Sequence, residues 1–277
     1  MNRISLVISD VDGTLVTSGK VLTERSREAV SRLDAQGIAF TIVSSRPAFG
    51  LRMLSERLRL QLPMGAYNGG ALVAPDLTII EQRLVAPEVA RRVLTMFQSF
   101  GIDAWIFTAD SWLAHDPFGA YVENEKRSIQ ALPKIVAHIE DHLDGVAKIV
   151  GVSGDFERLA RCEAVVRKAI TDGASIARSQ PYYLDVTPAG TNKGIIVAAL
   201  MQRLGVPAAE IASIGDMDND ISMFRKSGFR IAMGNASPDV MKAADAVTRS
   251  NDEDGFADAV ERLILPRADM ASVTLTQ

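Results

Sequence analysis

The feature that most constrains this chain is the stretch Ile4–Leu15, with the sequence ISLVISDVDGTL. Its apolar first half predicts a strand buried on both faces of a parallel sheet, and Asp10 and Asp12 follow at the carboxyl end of that strand. Side chains two residues apart in a strand point to the same side, and Gly13 lets the chain turn so that backbone N–H groups approach a ligand closely. Ligands of open α/β sheets bind at this end of the strands. The stretch therefore predicts an α/β fold with two carboxylates at its ligand-binding edge.

Composition and charge exclude several kinds of partner. The chain has 277 residues and a formal net charge of −4, and it lacks the basic runs with which proteins hold a nucleic-acid backbone. It also lacks an apolar stretch of the ~20 residues that a membrane span requires, and Asp10 and Asp12 interrupt the segment where a signal peptide would be apolar. The single cysteine, Cys162, excludes an internal disulfide and is typical of a reducing compartment. We therefore expect a cytoplasmic protein, monomeric or homodimeric, without a nucleic-acid or membrane partner.

The order of the elements indicates two domains. Strands and helices alternate up to about residue 77 and again from Thr191, whereas hairpins mixed with helices lie between them. We expect a Rossmann-like parallel sheet formed by residues 1–77 and 189–277, with an α+β module inserted at residues 78–188. Within the module, strands are predicted at 103–108, 111–115, 147–152, 174–179 and 182–187, and helices at 87–100, 133–142 and 156–171. The residues after Pro266 are expected to fray.

Three further groups of polar residues fall where core strands end or a core helix starts. They are Ser44 and Ser45 after the second strand, Lys193 at the start of a helix, and Asp216, Asn219 and Asp220 after a later strand. Because the carboxyl ends of parallel strands meet at one edge of a sheet, these groups are expected to lie near Asp10 and Asp12.

This combination suits the chemistry of a phosphate monoester, whose dianionic phosphate repels an attacking carboxylate. A magnesium ion between Asp10, Asp216 and a phosphate oxygen would neutralise part of that charge. Lys193 would supply more positive charge as a compact cation. Hydrogen bonds to the transferring oxygens, where charge is spread in the transition state, would come from the Ser44 side chain and the backbone N–H groups of Val11 and Ser45.

The two neighbouring carboxylates then take different roles. Asp10 would attack phosphorus to give an aspartyl-phosphate, which splits one difficult displacement into two easier ones. Asp12 would protonate the leaving alcohol and then deprotonate the water that hydrolyses the intermediate. The first of these tasks requires a protonated Asp12, and a neighbouring carboxylate and partial burial both favour protonation. We therefore expect the pKa of Asp12 to be raised.

The motifs as a set resemble those of the haloacid dehalogenase (HAD) superfamily, and within it the Cof-type sugar-phosphate phosphatases with a type IIB cap. The matching motifs are Asp10–Leu15, Ser44–Arg46, Asn68–Gly70, Lys193–Gly194, Gly215–Asp220 and Met233–Ala236. Ser45 departs from the pattern, since the family often has glycine at this position. The resemblance covers the chain up to Leu265 and implies a HAD-fold core whose cleft is covered by the inserted cap.

The resemblance also implies a role for each matching residue. It gives Asp10 as the nucleophile and Asp12 as the acid and base. The implied magnesium ligands are the Asp10 side chain, the Asp12 backbone carbonyl and Asp216, with Asp220 close by. The implied phosphate contacts are Val11, Ser44, Ser45, Lys193 and Asn219.

The function expected from these observations is Mg²⁺-dependent hydrolysis of a small phosphorylated metabolite. A sugar phosphate is the leading substrate class, and a phosphorylated cofactor such as pyridoxal phosphate comes next. A phosphohexomutase, which returns the phosphoryl group to a reoriented sugar, is the alternative reaction. A catalytically silent protein that binds phosphometabolites is a third hypothesis, and the intact pair Asp10 and Asp12 argues against it.

Several other polar and aromatic residues are compatible with more than one role. Arg46 either closes the cleft or pairs with surface acids, and Arg178, Tyr182 and Tyr183 either reach a substrate or pack within the cap. His138 and His142 have the spacing of helical zinc ligands but lack a third ligand. We therefore interpret the two histidines as part of an exposed helix face.

Overall fold

The computed structural model describes residues 3–268. Of the residues after Pro266 that we expect to fray, only Arg267 and Ala268 lie within the described range. Within residues 3–268, no helix combines the length and the apolar character needed to cross a bilayer.

The described chain alternates strands and helices at both ends and changes character in the middle. The strands are β1 Leu6–Ser9, β2 Ala39–Ile42, β3 Met64–Ala66, β4 Ala71–Val73, β5 Ile79–Gln82, β6 Asp103–Phe107, β7 Trp112–Ala114, β8 Lys134–Ile135, β9 Lys148–Val152, β10 Ala174–Gln180, β11 Tyr183–Pro188, β12 Ile211–Gly215, β13 Phe229–Ala232 and β14 Ala246–Val247. The α-helices are α1 Glu24–Ala35, α2 Arg52–Leu58, α3 Pro87–Ser99, α4 Val122–Ile129, α5 Phe156–Ala169, α6 Lys193–Leu204, α7 Ile221–Phe224, α8 Pro238–Lys242 and α9 Gly255–Ala259.

The core is a parallel sheet with strand order β14-β13-β12-β1-β2. Leu6–Ser9 of β1 is fully buried and pairs in parallel with β12 on one side and β2 on the other. The strand order reverses direction at β1, and such a switch point is where open α/β sheets bind ligands. The predicted α/β fold is confirmed.

The sequence predicts Thr23 and Ser237 as N-caps of two core helices, and the structure confirms both. The side chain of Thr23 caps α1 by accepting a hydrogen bond from the Ser26 N–H at 3.1 Å, and Ser237 caps α8 with Pro238 in the first position. The sequence predicts Pro47 in the first turn of the helix that carries Leu51, Leu54 and Leu58, and this prediction is wrong by one position. Pro47 is extended and immediately precedes the short 3₁₀ turn Ala48–Leu51, because its fixed φ suits a cap as well as a first turn.

A small antiparallel sheet, β3-β4-β5, extends the core beyond β2. Its link to the parallel sheet is a bridge between Val43 and Gly65. Because β5 pairs with β4, residues 79–82 pack with segments that precede the predicted insertion. The division of the chain at residues 78 and 188 remains our proposal for the two domains.

The middle of the chain forms a second sheet with strand order β10-β11-β9-β6-β7-β8, which we call the cap. Helices α3 and α5 cover one face, where Phe97, Leu159 and Ile149 belong to one buried cluster. The opposite face carries aromatic side chains that include Trp105 and Tyr183, and these pack in the same cluster as apolar residues of the core. The cap therefore presents an aromatic face to the parallel-sheet domain.

One prediction for the cap is wrong, and one of its helices is not predicted. The segment 133–142 was expected to be helical, but it contains β8 and a 3₁₀ turn, Ile139–Asp141, because β8 completes the cap sheet by pairing with β7. His138 is therefore exposed in a loop rather than on a helix. Conversely, the sequence does not predict α4, because two of its four buried residues, Glu125 and Ser128, are polar and interrupt the apolar stripe expected of such a helix.

We predict that Gly65→Ala destabilises the protein, because β3 passes close to its neighbours. A Cβ atom at this position would lie 2.8 Å from Val43 Cγ1 and 2.9 Å from Ile196 Cγ1, and such overpacking typically costs about 1–3 kcal/mol. Thermal unfolding should show a melting temperature lower by several degrees. The control is Gly19→Ala, where the nearest atom lies 3.6 Å away, and little change is expected there. An unchanged melting temperature for Gly65→Ala would contradict the packing described.

Candidate active site

Three carboxylates that are far apart in the sequence converge at the carboxyl ends of β1 and β12. Asp10 follows β1, and Asp216 and Asp220 follow β12. All three are buried, with exposed fractions of 4%, 6% and 0%. One oxygen from each lies within 4.8 Å of the others, so the three can share a single ion.

The ammonium group of Lys193 lies against two of these carboxylates. Its Nζ donates to Asp10 Oδ1 at 2.5 Å and to Asp220 Oδ1 at 2.6 Å. Lys193 opens α6 and is only 1% exposed. Burial alone would lower the pKa of Lys193, but the charges of Asp10 and Asp220 outweigh it and raise that pKa. The lysine therefore stays charged and joins the ends of β1 and β12.

The surroundings of the carboxylate cluster disfavour the ionised forms of Asp10 and Asp216. Burial raises the pKa of Asp10 to about 7, against the opposing effect of Lys193, and burial together with the charges of Asp10 and Asp220 raises the pKa of Asp216 well above its ordinary value. Carboxylate oxygens are the ligands that hard divalent cations prefer. A bound cation would stabilise the ionised forms of these acids. The donor set therefore fits a divalent ion such as Mg²⁺.

The loop after β1 holds Asp216 in place. Thr14 Oγ1 donates to Asp216 Oδ1 at 2.8 Å, and Asn235 Nδ2 donates to the Gly13 carbonyl at 2.9 Å. Gly13 has φ +92°, and a Cβ atom there would lie 2.3 Å from Asp216 Oδ2. Only glycine permits this close approach without strain.

Asp12 lies in a second ionic group, formed with two cations. Arg46 donates to both Asp12 oxygens, at 2.8 and 2.9 Å, and Lys20 Nζ donates to Asp12 Oδ1 at 2.9 Å. Burial by itself raises the pKa of Asp12, but Arg46 and Lys20 outweigh it and hold the pKa well below its usual range. The expectation of a raised pKa for Asp12 is therefore wrong, since the sequence did not reveal that these two cations converge on it.

The loop after β2 brings the predicted hydroxyl and amide groups beside the carboxylates. The Ser44 N–H donates to the Gly65 carbonyl at 2.9 Å, and the Ser44 Oγ accepts from the Arg46 N–H at 3.1 Å. Asn219 Nδ2 donates to Ser45 Oγ at 3.2 Å. A cavity at the domain boundary is lined on the core side by residues that include Asp10, Asp12, Ser44, Ser45, Lys193 and Asn219. Val11 is buried between Asp10 and Asp12.

The cap closes this cavity with polar side chains. Its contributors are Asn124, Glu125, Ser128, Lys148, Ser179, Gln180 and Tyr183. Glu125 accepts a hydrogen bond from the Tyr183 hydroxyl at 3.1 Å, and burial raises the pKa of Glu125. The space free for a ligand is only about 30 Å³, whereas sites for small metabolites typically measure ~300 Å³ or more. In this conformation the cap therefore leaves too little room for a metabolite.

Of the four residues with more than one expected role, two lie at the site and two make other contacts. Tyr183 lines the cavity, and Arg46 is buried against Asp12 rather than paired with a surface acid. Arg178 instead pairs with Glu163 of α5 at 2.9 Å. Tyr182 stacks on Tyr121, with ring centroids 4.0 Å apart.

Sequence reasoning missed Lys20, Glu125 and Lys148 altogether. Lys20 follows the turn residues Ser18 and Gly19, and its spacing from Asp12 carries no recognisable motif. Glu125 and Lys148 are cap residues whose only available signal is a single charged side chain. Such a signal does not distinguish an inward charge from a solvated one.

Comparison with known proteins places this arrangement in a family. A family model described as haloacid dehalogenase-like hydrolase matches residues 7–260. The chain is 28% identical to a 5-amino-6-(5-phospho-D-ribitylamino)uracil phosphatase of Bacillus subtilis, over 92% of this chain and 96% of the relative.

Solved structures show the same fold. A crystal structure of a haloacid dehalogenase-like hydrolase from Bacteroides thetaiotaomicron superposes with a TM-score of 0.83 at 29% identity, covering 94% of this chain and 99% of the other. A HAD subclass IIB sugar phosphatase superposes with a TM-score of 0.78 at 24% identity, covering 92% and 97%. The fold, the carboxylate cluster and the family match agree. The chain belongs to the haloacid dehalogenase superfamily of hydrolases and is a phosphoric monoester hydrolase with the fold of its Cof-type, cap-bearing members.

Proposed function

We propose that this protein is a Mg²⁺-dependent phosphatase that hydrolyses a small phosphorylated metabolite through an aspartyl-phosphate on Asp10. The observation that carries the proposal is the buried cluster at the end of β1. There, Asp10 lies within ion-sharing distance of Asp216 and Asp220, and the Lys193 ammonium group lies against its carboxylate. A buried carboxylate beside fixed positive charge is suited to attack a phosphate dianion.

Asp10 is the proposed nucleophile, and its neighbours prepare it. The metal would be held by Asp10, the Asp12 backbone carbonyl and Asp216, with Asp220 close by, and would neutralise part of the phosphate charge as a Lewis acid. Lys193 favours the ionised form of Asp10 and orients its carboxylate through a 2.5 Å hydrogen bond. Asp220 accepts hydrogen bonds from the backbone N–H groups of Asp216 and Met217, at 2.9 and 3.0 Å. These bonds fix the loop that carries Asp216.

Asp12 is the proposed acid and base. Its carboxylate, kept ionised by Arg46 and Lys20, is the proposed acceptor of a proton from the water that attacks the aspartyl-phosphate. In the first step the same carboxyl must carry a proton to the leaving oxygen. The charge of an entering phosphate dianion favours that protonation, because a nearby anion raises the pKa of a carboxyl group.

The remaining core residues are proposed to bind the phosphate. They are the backbone N–H groups of Val11 and Ser45 and the side chains of Ser44, Lys193 and Asn219. Because the Ser44 oxygen already accepts a hydrogen bond from the Arg46 N–H, its own hydrogen is free to donate to a phosphate oxygen.

The substrate class follows from the cap. Its side of the cavity carries amide, hydroxyl and carboxylate groups, which suit a leaving group rich in hydroxyls. A sugar phosphate is therefore the first candidate, and a phosphorylated cofactor such as pyridoxal phosphate is the second. The compared relatives named as sugar and ribitylaminouracil phosphatases support this class. The proposed location remains the cytoplasm, on the basis of the single cysteine.

The direct test of the function is a panel of phosphate esters assayed with Mg²⁺ and with a chelator. Release of inorganic phosphate that requires the metal is the expected result. For a labelled hexose phosphate, free sugar should be the main product. Isomerised hexose phosphate with little free phosphate would instead indicate a mutase, and no turnover of any ester would refute the proposal.

We predict that Asp10→Asn abolishes turnover without unfolding the protein. The amide has nearly the same shape but cannot form the acyl-phosphate, so kcat should fall at least ~10³-fold. The melting temperature should be equal or higher, since one buried charge is removed from an acidic cluster. The matched control is Asp218→Asn, because Asp218 is an exposed acid on the loop that carries Asp216 and Asp220. Near-wild-type activity in Asp10→Asn would exclude Asp10 as nucleophile.

We predict that Mg²⁺ stabilises the protein more at about pH 8 than at about pH 5. The pKa of Asp10 is raised from 3.8 to about 7 in the metal-free fold. Between these values the folded protein binds more protons than the unfolded chain, so its stability falls as the pH rises. Mg²⁺ requires the ionised acids and offsets this loss mainly at the higher pH.

Thermal unfolding with and without MgCl₂ at both pH values measures this effect. Asp216→Asn serves as the comparison and should lose most of the stabilisation by Mg²⁺. Equal gains in melting temperature at the two pH values would contradict the assignment of the buried carboxylates to the metal.

A further inference from the structure

A buried lysine of the cap reaches into the phosphate-binding loop of the core. Lys148 is the first residue of β9 and is 3% exposed. Its Nζ donates to the backbone carbonyl of Ser45 at 2.8 Å, across 103 positions in the sequence. Lys148 also lines the cavity between cap and core, and its ammonium group lies 5.0 Å from the centre of the Phe107 ring.

The contact extends through one peptide group to a proposed phosphate ligand. The Ser45 carbonyl belongs to the same peptide as the Arg46 N–H, and that N–H donates to Ser44 Oγ at 3.1 Å. Lys148 therefore fixes the peptide that orients the Ser44 hydroxyl. A cation bonded to a carbonyl also polarises the peptide and strengthens the hydrogen bond that its N–H donates.

The counter-ion of Lys148 is Asp185 of β11, whose carboxylate lies 3.5 Å from the lysine and is fully buried. Within residues 3–268, neither Asp185 oxygen has a hydrogen-bond partner. A buried ion pair with unsatisfied oxygens is a poor source of stability, and apolar residues of similar volume often serve as well or better. Stability alone therefore does not account for the pair.

We propose that Lys148, held by Asp185, is a positioning residue that makes phosphate binding depend on closure of the cap. When the cap lies on the core, Lys148 fixes the Ser45 carbonyl and thereby the Ser44 hydroxyl. When the cap lifts, this support leaves with it. The inference rests on the proposed phosphatase function, because it assigns the Ser44–Ser45 loop to the phosphate.

The test compares Lys148→Met, Lys148→Arg and the control Lys168→Met. Methionine keeps the apolar stem and removes the charge, arginine retains a cation, and Lys168 is an exposed lysine of α5 in the same domain. Two quantities are measured in the presence of Mg²⁺, namely the kinetics of p-nitrophenyl phosphate hydrolysis and the inhibition constant of inorganic phosphate. Inorganic phosphate has no leaving group, so its affinity reports on the loop rather than on recognition of a leaving group by the cap.

Lys148→Met should lower kcat/KM about 10- to 100-fold and weaken inhibition by phosphate to a similar extent, as expected for loss of a charged hydrogen bond. Lys148→Arg should recover part of both, and Lys168→Met should match the wild type. An inhibition constant for phosphate that stays within about twofold of the wild type would overturn the proposal and make Lys148 a leaving-group contact. Absence of rescue by arginine would also count against it.

The double variant Lys148→Met/Asp185→Leu separates positioning from folding. Replacement of both charges should restore the melting temperature if Lys148→Met alone lowers it, while phosphate affinity stays weak. Recovery of both properties would show a purely structural pair and refute the inference. The wild-type assay distinguishes the two hypotheses, because an inactive wild type refutes the phosphatase proposal, whereas an active wild type with an equally active Lys148→Met refutes only this one.

Discussion

The buried ammonium group of Lys193 is the interaction on which the site depends. It joins Asp10 after β1 to Asp220 after β12, so neither carboxylate is buried alone, which would cost several kcal/mol. The cluster with Asp216 still holds more carboxylates than the single ammonium group can neutralise, and burial together with the neighbouring acids raises the pKa values of Asp10 and Asp216. The fold thus maintains an excess of buried negative charge that a hard cation would offset.

At the same edge of the sheet, the pKa values of Asp10 and Asp12 are shifted in opposite directions. Burial raises the pKa of Asp10, whereas Arg46 and Lys20 hold the pKa of Asp12 well below its usual range. Neighbouring carboxyl groups whose pKa values are pushed apart are suited to different chemical tasks. The side chains of Arg46 and Lys20 thereby distinguish the two acids, although the acids are only two residues apart in the strand and loop that carry them.

The core was predictable because its chemistry lies in local motifs. Asp10, Lys193 and Asp216 each follow or open an element with clear periodicity, and parallel strands bring such positions together whatever the intervening sequence. The cap was less predictable. In α4, two of the four buried residues, Glu125 and Ser128, are polar, so its apolar stripe is incomplete. The pairing of β8 with β7 is a tertiary contact that local propensity does not encode.

The same reason explains why the sequence indicates phosphoryl chemistry but not the leaving group. The cap residues of the cavity are spread over α4, β9, β10 and β11, and no two of these elements share a motif. Their common property is that each places a polar side chain where a buried surface would ordinarily be apolar. That property becomes visible only when the cap is seen against the core. On a face that packs between two domains, polar residues that interrupt the apolar periodicity of an element therefore indicate a ligand site.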